Sequence, residues 1–249
     1  MNLNRIQRAW DELGRKDPLW AILTWPGKRG HRWDRGEFFE TGERDVERLI
    51  AYIGSLGHSF SRRRALDFGC GVGRMTQPLA RHFDEAWGVD IAPSMIELAR
   101  RFNELGERCK YRVNDAPDLR CFSDDTFDFV LSHLTLQHMP PESAKQYMKE
   151  FLRVLAPGGL VVFQMAGEPT RVRPASIRRL RRVVRGLIPE ALIGLYRKAR
   201  YRHLIDMHGM KREEVVRLLE ENGAEVLDVR PDTSAGGGWT SFGYCATKA

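Results

Sequence analysis

Short apolar runs alternate with amphipathic segments through the middle of the chain. The apolar runs predict strands that end at Phe68 and that cover residues 85–90, 109–113, 126–132 and 160–165. Helix-like segments follow the first two runs, and a further helix is predicted at about residues 142–155. Regular alternation of strands with helices predicts a parallel sheet with helices on both of its faces. The expected fold class is therefore α/β.

Further elements are predicted on both sides of this central region. Apolar residues at helical spacing predict helices at about 5–14 and 43–56 near the start of the chain. Near its end, a helix at 211–222 precedes two strands at 224–230 and 241–247. Between the first two helices lies an aromatic and basic stretch that contains Trp20, Trp25 and Trp33.

Three glycines follow the first strand at spacings of two, at positions Gly69, Gly71 and Gly73. Glycine lets the backbone turn sharply and lets a ligand approach the main chain closely. Such a loop before a helix typically holds a nucleotide-like cofactor. The dinucleotide pattern G-x-G-x-x-G requires a small residue where this chain has Arg74. The preceding Asp67 also suits a cofactor without phosphate, so a NAD-linked oxidoreductase is the least favoured interpretation.

A second acidic residue, Asp90, ends the strand predicted at residues 85–90. It lies 17 residues after Gly73, close to the spacing of about 20 that is typical of an acid that binds a ribose. One carboxylate at this place can accept hydrogen bonds from both ribose hydroxyls. The other interpretation is a cap for the next helix, whose first turn is marked by Pro93.

Taken in order, five motifs resemble the core of the class I S-adenosylmethionine-dependent methyltransferases. They are Asp67-x-Gly-x-Gly-x-Gly73, Gly88-Val-Asp90, Asn114-Asp115-Ala116, Phe127-Asp-Phe-Val130 and Leu155-Ala-Pro-Gly-Gly159. The resemblance covers about residues 62–165 and 210–249. It implies an α/β, Rossmann-like doubly wound sheet, mostly parallel with an antiparallel last strand. It also implies S-adenosylmethionine as the cofactor.

The resemblance assigns roles to individual residues. It implies that the three loop glycines approach the cofactor, that Asp90 binds the ribose, and that Asp115 meets the adenine amino group. Ala116 would be a backbone contact, and Met95 would pack on the adenine face. The full set of predicted cofactor contacts is Asp67, Gly69, Cys70, Gly71, Gly73, Asp90, Ile91, Met95, Asn114, Asp115, Ala116 and Ser132.

Two histidines are the candidate catalytic residues. His133 stands at the end of the fourth strand and His138 follows five residues later, at the edge where open α/β sheets place their chemistry. An imidazole titrates near neutrality and can take a proton from a hydroxyl group. The alternative is that both histidines only line the pocket. No convincing metal-ligand pattern occurs in the sequence, so no metal is predicted.

Composition favours a cytoplasmic protein. Of the 249 residues, 42% are hydrophobic, and no apolar run approaches the length of about 18 that predicts a transmembrane helix. The first residues lack the apolar core of a signal peptide. The four cysteines are widely spread and form no C-x-x-C pair, which fits a reducing compartment and argues against a zinc site.

The net charge of +7 is concentrated in one segment. Residues 171–202 contain ten Arg and one Lys against a single Glu, so the remainder of the chain is slightly acidic. The predicted domains are an N-terminal helical lid at 1–61, a cofactor-binding core at 62–165 and 209–249, and a basic helical cap insert at 166–208. The insert is interpreted as a cap over the substrate, as a solvated helix, or as a peripheral membrane contact.

These features predict methyl transfer to a hydroxyl or amine of a small-molecule, glycan or lipid-linked acceptor. The basic insert favours an acidic or phosphate-bearing acceptor. One alternative is an RNA methyltransferase, because Arg-rich helices bind phosphate backbones. Against it, no Asn-Pro-Pro-Tyr-type tetrad follows the fourth strand, and no separate RNA-binding module is evident. The other alternative is a non-catalytic protein with this fold, and the largely intact cofactor motifs argue against it.

Overall fold

A computed structural model describes residues 3–170 and 206–248 of the chain. Within these residues, seven strands form one sheet and seven α-helices accompany it. The strands are β1 (Arg64–Phe68), β2 (Glu85–Asp90), β3 (Cys109–Val113), β4 (Phe127–Ser132), β5 (Leu155–Pro169), β6 (Ala224–Pro231) and β7 (Trp239–Lys248). The helices are α1 (Leu3–Lys16), α2 (Pro18–Ile22), α3 (Arg35–Ser55), α4 (Thr76–His82), α5 (Pro93–Arg101), α6 (Pro141–Val154) and α7 (Arg212–Glu221).

The strand order across the sheet is β3-β2-β1-β4-β5-β7-β6. Strands β1 to β5 run parallel, whereas β7 runs antiparallel to both of its neighbours, β5 and β6. The predicted fold class, a mostly parallel doubly wound sheet with an antiparallel last strand, is confirmed. The chain reverses its direction of travel across the sheet between β1 and β4. The carboxyl ends of these two strands form the crevice in which such sheets bind their ligands.

The central strands bury side chains on both faces of the sheet. Successive residues of a strand point to opposite faces, so Leu66 and Val130 belong to one apolar cluster while Ala65 and Phe129 belong to another. The first cluster includes side chains of α6 and α7, and the second includes side chains of α3, α4 and α5. Burial on both faces is the physical reason that these strands read as continuous apolar runs.

Helix α1 caps the amino end of α5. The Ser94 N–H donates to Asp11 Oδ1 at 2.8 Å, and the Ser94 hydroxyl donates to the Asp11 carbonyl at 3.0 Å. Gly14 permits this approach, because a Cβ there would lie 2.3 Å from Ser94 Oγ. Burial alone would raise the pKa of Asp11, but the hydrogen bonds from Ser94 and the charge of Arg15 leave it lowered. Asp11 is therefore ionised at a helix amino terminus, where negative charge is favourable.

Two N-terminal helices differ from the prediction. Helix α3 begins at Arg35, well before the predicted start near residue 43. The Asp34 side chain caps it by accepting a hydrogen bond from the Glu37 N–H at 2.9 Å, and Asp followed three residues later by Glu resembles a capping box. The short helix α2 is an element that the hydrophobic pattern does not predict. It starts with a proline at its first turn, which is a favoured position for that residue.

Strand β5 extends beyond residue 165, where the predicted core segment ends. Strand β5 continues to Pro169 because Ala166 pairs with Ser241 and Pro169 pairs with Trp239 of β7. The Arg-rich part of the predicted insert, residues 171–205, lies outside the described residues, so its interpretation stays a prediction. Among the helices that the structure describes, none is long and apolar enough to cross a membrane.

Candidate functional site

The loop between β1 and α4 is shaped by its glycines. Gly69, Gly71 and Gly73 have φ angles of 78°, 54° and 84°, a conformation that residues with a side chain rarely adopt. A Cβ added at Gly69 would lie 2.1 Å from Thr135 Oγ1, and one at Gly71 would lie 2.6 Å from Ile22 Cδ1. The loop is therefore held tightly between α2 and the segment that follows β4.

Asp90 at the end of β2 faces this loop. Its Oδ2 accepts a hydrogen bond from the Gly71 N–H and its Oδ1 accepts one from the Ala92 N–H, both at 2.9 Å. Burial raises the pKa of Asp90, and these backbone hydrogen bonds counteract part of that rise. Each carboxylate oxygen retains a further acceptor position. Asp90 therefore holds the turn that follows β2 and does not cap α5, whose N-cap position is Ala92. Ribose binding by Asp90 is compatible with this geometry and stays a prediction.

A first cavity of about 760 Å³ is bounded by the glycine loop and Asp90. Its size falls within the range of about 300–1,000 Å³ that is typical of small-molecule sites. The N-terminal segment contributes Trp10, Trp20 and Ile22 to its wall. The predicted site residues that line it are Gly69, Gly71, Asp90, Ile91, Met95, Asn114, His133 and His138.

Six predicted cofactor contacts are not among the residues that line the first cavity. Ser132 lines a neighbouring cavity instead, and the other five are Asp67, Cys70, Gly73, Asp115 and Ala116. Asp67 is buried, and the Thr76 hydroxyl donates to its Oδ2 at 2.6 Å. Burial raises the pKa of Asp67 to about 6. Its carboxylate therefore supports the loop from within the protein.

Contacts inside the protein account for the placement of Gly73, Cys70 and Ala116. A Cβ at Gly73 would lie 2.5 Å from the Tyr111 hydroxyl, so this glycine makes room for β3. The Cys70 thiol is buried, and burial raises its pKa, which keeps it protonated. The carbonyl of Ala116 accepts a hydrogen bond from the Tyr147 hydroxyl, and Asp115 is exposed. The cofactor roles of these residues stay predictions.

A second cavity of about 720 Å³ adjoins the first. Arg44 and Arg48 of α3 and Arg230 of β6 lie in its wall. Ser132 contributes from the end of β4, and Gln164 contributes from within β5. The residues that line both cavities, which we call the junction, are Ile22, Thr24, His133, Leu134 and Ser234. The two cavities thus meet at the carboxyl end of β4.

The backbone at the junction adopts a strained conformation. Leu134 has a φ of 59°, which is a rare value for a large apolar residue and is typical of functional sites. His133, just before it, is half-buried, and burial together with the charge of Arg74 lowers its pKa to about 4. His133 is therefore neutral at pH 7, and the lowered pKa makes it a weaker base than a free imidazole.

His138 has a different hydrogen-bonding environment. Gln137 Nε2 lies 3.3 Å from His138 Nε2, and because an amide nitrogen only donates, the network assigns the His138 Nε2 as an acceptor. The proton of the neutral ring then sits on Nδ1. Burial lowers the pKa of His138 to about 4, and the Trp10 ring packs edge-on against it at 5.4 Å. This geometry favours His133 as a base, and both assignments stay predictions.

Arg74, the residue that breaks the dinucleotide pattern, anchors α3 to the glycine loop. Its side chain is buried and forms an ion pair with Asp45 at 2.6 Å and a hydrogen bond to the Thr41 hydroxyl at 3.2 Å. The helix comes so close that a Cβ on Gly42 would lie 2.0 Å from the Arg74 carbonyl oxygen. The large side chain at this position therefore has a structural explanation.

Several cavity residues are absent from the predicted set. Gln164 carried a sequence signal, because it is a polar residue within an otherwise apolar strand. Leu134 carried none, since a positive φ at a leucine follows from the tertiary structure alone. Ile22 reaches the loop only through helix α2, which the pattern does not predict.

The residues of the first cavity fit a nucleoside cofactor that has no phosphate. Asp90 offers carboxylate oxygens for a diol, and Ile91 and Met95 offer an apolar face for a purine. Within residues 3–170 and 206–248, no Lys or Arg lines this cavity, whereas sites for phosphate groups commonly use such side chains. The fold and the site thus define an α/β domain for a cofactor of the S-adenosylmethionine type.

Comparison with known proteins places the domain in a family. Residues 66–163 match the family model described as a methyltransferase domain. Residues 66–163 therefore form a methyltransferase domain of the class I S-adenosylmethionine-dependent type, and S-adenosylmethionine is the cofactor of that type. The predicted family and cofactor are confirmed.

Individual relatives match the core over part of their length. The chain is 36% identical over 125 residues to Methyltransferase GfsG of Streptomyces halstedii, which covers 48% of this chain and 42% of that protein. It is 30% identical over 154 residues to the 2-methyl-6-phytyl-1,4-hydroquinone methyltransferase of a Synechocystis strain, covering 61% of this chain and 47% of the relative. The chain therefore spans less than half the length of these curated relatives.

A solved structure shares the fold over almost the whole chain. It is the magnesium protoporphyrin IX methyltransferase of Synechocystis PCC 6803 with bound S-adenosylhomocysteine. The TM-score is 0.64 at 17% sequence identity, and the alignment covers 99% of each chain. At this level of identity, the likeness extends to the fold alone.

Proposed function

We propose that the domain transfers a methyl group from S-adenosylmethionine to a hydroxyl or amine of a small molecule bound in the second cavity. The observation that carries this proposal is the junction, where a cavity suited to the cofactor meets a cavity lined by arginines. Both cavities are recesses of small-molecule size. They suit a small acceptor, or the end of a glycan or lipid-linked one, better than a nucleic acid.

The side chains at the site have distinct proposed roles. When bound, S-adenosylmethionine supplies an electrophilic methyl group. Asp90 holds the ribose hydroxyls, and Met95 packs against the adenine. Holding the nucleophile and the methyl group together is worth at most about 7–11 kcal/mol. His133 accepts the proton of a hydroxyl acceptor, whereas a neutral amine needs less help.

The arginines of the second cavity favour an acceptor with a carboxylate or phosphate group. Arg44 lies 3.8 Å from Glu40, and Arg48 lies 4.0 Å from Asp45, which are long separations for ion pairs. The Asp45 carboxylate pairs more closely with Arg74, at 2.6 Å. The guanidinium groups at the rim therefore retain donors for an anionic ligand.

An acceptor screen tests this proposal. The protein is incubated with methyl-labelled S-adenosylmethionine and phenolic acceptors in matched sets that carry a carboxylate, a phosphate or a neutral carboxamide. We expect label transfer to the anionic members, with a KM raised about tenfold in an Arg48→Gln/Arg230→Gln variant. Arg217→Gln on the exposed surface of α7 is the control. Equal transfer to the neutral members would refute the charge preference, and no transfer to any member would refute the proposed reaction.

A further inference from the structure

The inner wall of the second cavity collects polar atoms that lack partners. Ser132 Oγ, His133 Nδ1 and Gln164 Oε1 are buried atoms with no hydrogen-bond partner among the described residues, and all three residues line this cavity. Ser132 and Gln164 are 0% and 3% exposed. A buried polar atom without a partner is costly. Three such atoms in one cavity indicate a polar ligand.

The orientation of the Gln164 amide is fixed by its neighbours. The Asp232 carboxylate can only accept, so the Ser241 hydroxyl, 3.1 Å away, donates to it. Ser241 Oγ is then free to accept from Gln164 Nε2 at 2.6 Å. The same Nε2 donates its other hydrogen to Gln137 Oε1 at 3.1 Å. Both amide hydrogens are therefore used inside the protein, and Oε1 is the atom of Gln164 that can serve a ligand.

Strand register brings this oxygen close to the junction. Ser132 at the end of β4 is the parallel partner of Phe163 in β5. His133 and Gln164 are the next residues of these two neighbouring strands, and both line the second cavity. A group held by Gln164 therefore lies beside the candidate base and beside the entrance to the first cavity.

We propose that Gln164 is a positioning residue whose Oε1 accepts a hydrogen bond from the O–H or N–H group of the methyl acceptor as it binds. A hydroxyl has a single hydrogen, so this hydrogen turns from Gln164 Oε1 to His133 when the methyl group is transferred. This inference rests on the proposed function and narrows it. It predicts that the reacting atom of the acceptor is an oxygen or nitrogen that carries a hydrogen, and not a carbon atom, whose hydrogens are not hydrogen-bond donors of comparable strength. The donor end of the acceptor lies at Ser132, His133 and Gln164, and its anionic end lies toward the arginines of the rim.

Matched ligands test the donor requirement directly. The full-length protein is saturated with S-adenosylhomocysteine and titrated with 4-hydroxybenzoate, 4-aminobenzoate and 4-fluorobenzoate. All three probes share the ring and the carboxylate, and the fluorine atom is small but is not a hydrogen-bond donor. We expect the hydroxyl and amino probes to bind about tenfold more tightly than the fluoro probe, since a buried acceptor without a partner costs about 1–3 kcal/mol.

Two variants separate positioning from a structural role. Gln164→Met replaces the side chain with one of similar size that has no amide oxygen. We expect this variant to bind the hydroxyl, amino and fluoro probes with about equal affinity. Ser241→Ala removes one neighbour of the amide but keeps Oε1, so the preference should persist there. The inference is overturned if the fluoro probe binds the wild-type protein equally well, if Gln164→Met keeps the preference, or if no probe binds the loaded protein. Failure to bind S-adenosylhomocysteine at the outset refutes the proposed function instead.

Discussion

The contact between α3 and the glycine loop leads to a prediction about Gly42. An alanine Cβ at this position would lie 2.0 Å from the carbonyl oxygen and 2.9 Å from the carbonyl carbon of Arg74. Ordinary contacts between such atoms are nearer about 3.5 Å, so the helix and the loop must separate by roughly 1.5 Å. The atoms that the new Cβ would meet belong to the backbone of Arg74, and the ion pair between the Arg74 side chain and Asp45 holds this backbone in place. Rotation of a side chain therefore does not relieve the overlap.

The size of the effect follows from two opposing contributions. Overpacking of this kind costs about 1–3 kcal/mol, and a rigid obstacle favours the upper end of that range. Replacing glycine within a helix returns up to about 1 kcal/mol. We therefore expect Gly42→Ala to lower the free energy of unfolding by about 2 kcal/mol, which corresponds to a fall in Tm of about 4–8 °C for a chain of this length.

Gly54 provides a matched control in the same helix. Apart from its chain neighbours and the backbone of its own helix, no atom of the described residues lies within 4 Å of a Cβ built at Gly54. Gly54→Ala should therefore leave the protein as stable as before or stabilise it by up to about 1 kcal/mol. Thermal unfolding of both variants, followed by calorimetry, measures the difference. Equal Tm values for the two variants would refute the packing of α3 against the loop as described.

Three further predictions concern titration and capping. Burial raises the pKa of Asp67 to about 6, so the native state holds this proton more tightly than the unfolded chain. The protonated Asp67 therefore stabilises the folded protein below the unfolded pKa of about 4, and this contribution is lost as the pH rises through about 6. Denaturant titrations between these pH values should show that Asp67→Asn removes the loss. If the free energy of unfolding of Asp67→Asn depends on pH as steeply as that of the wild type, the prediction is contradicted. The pKa of His133 is lowered to about 4, so titration of this histidine should not change kcat between about pH 6 and 8. A loss of kcat centred near about pH 6.5 in the wild type, and absent in His133→Asn, would contradict the lowered pKa. Asp11→Ala removes the cap of α5 and should cost about 1 kcal/mol in urea unfolding, whereas unchanged stability would show that the contact contributes little.

The sequence contained most of the information needed for the sheet. Strands buried on both faces produce apolar runs, and their alternation with helices made the parallel arrangement predictable. The start of α3 was harder to predict, because Gly36 and Gly42 weaken the helical pattern. The capping pair Asp34 and Glu37 was the available signal, and it lies outside the apolar periodicity.

The site was predictable only where its residues follow a local pattern. The glycine loop and Asp90 lie close together in the chain, and the structure places Gly69, Gly71 and Asp90 along one cavity. The role of Gly73 depends instead on Tyr111 of a distant strand. The network around Gln164 joins β5 to β7 and to the turn at Leu136–His138. Such contacts between distant segments leave no periodic signal.

Calorimetric titration with S-adenosylhomocysteine tests the central claim most directly. The wild-type protein should bind one molecule per chain, and Asp90→Asn should bind at least tenfold more weakly, because the charged acceptor for the ribose hydroxyls is lost. Asp84→Asn, which removes an exposed carboxylate of the same domain, should leave the affinity unchanged. Absence of binding to the wild-type protein, or equal affinity of Asp90→Asn, would contradict the assignment of the first cavity to this cofactor.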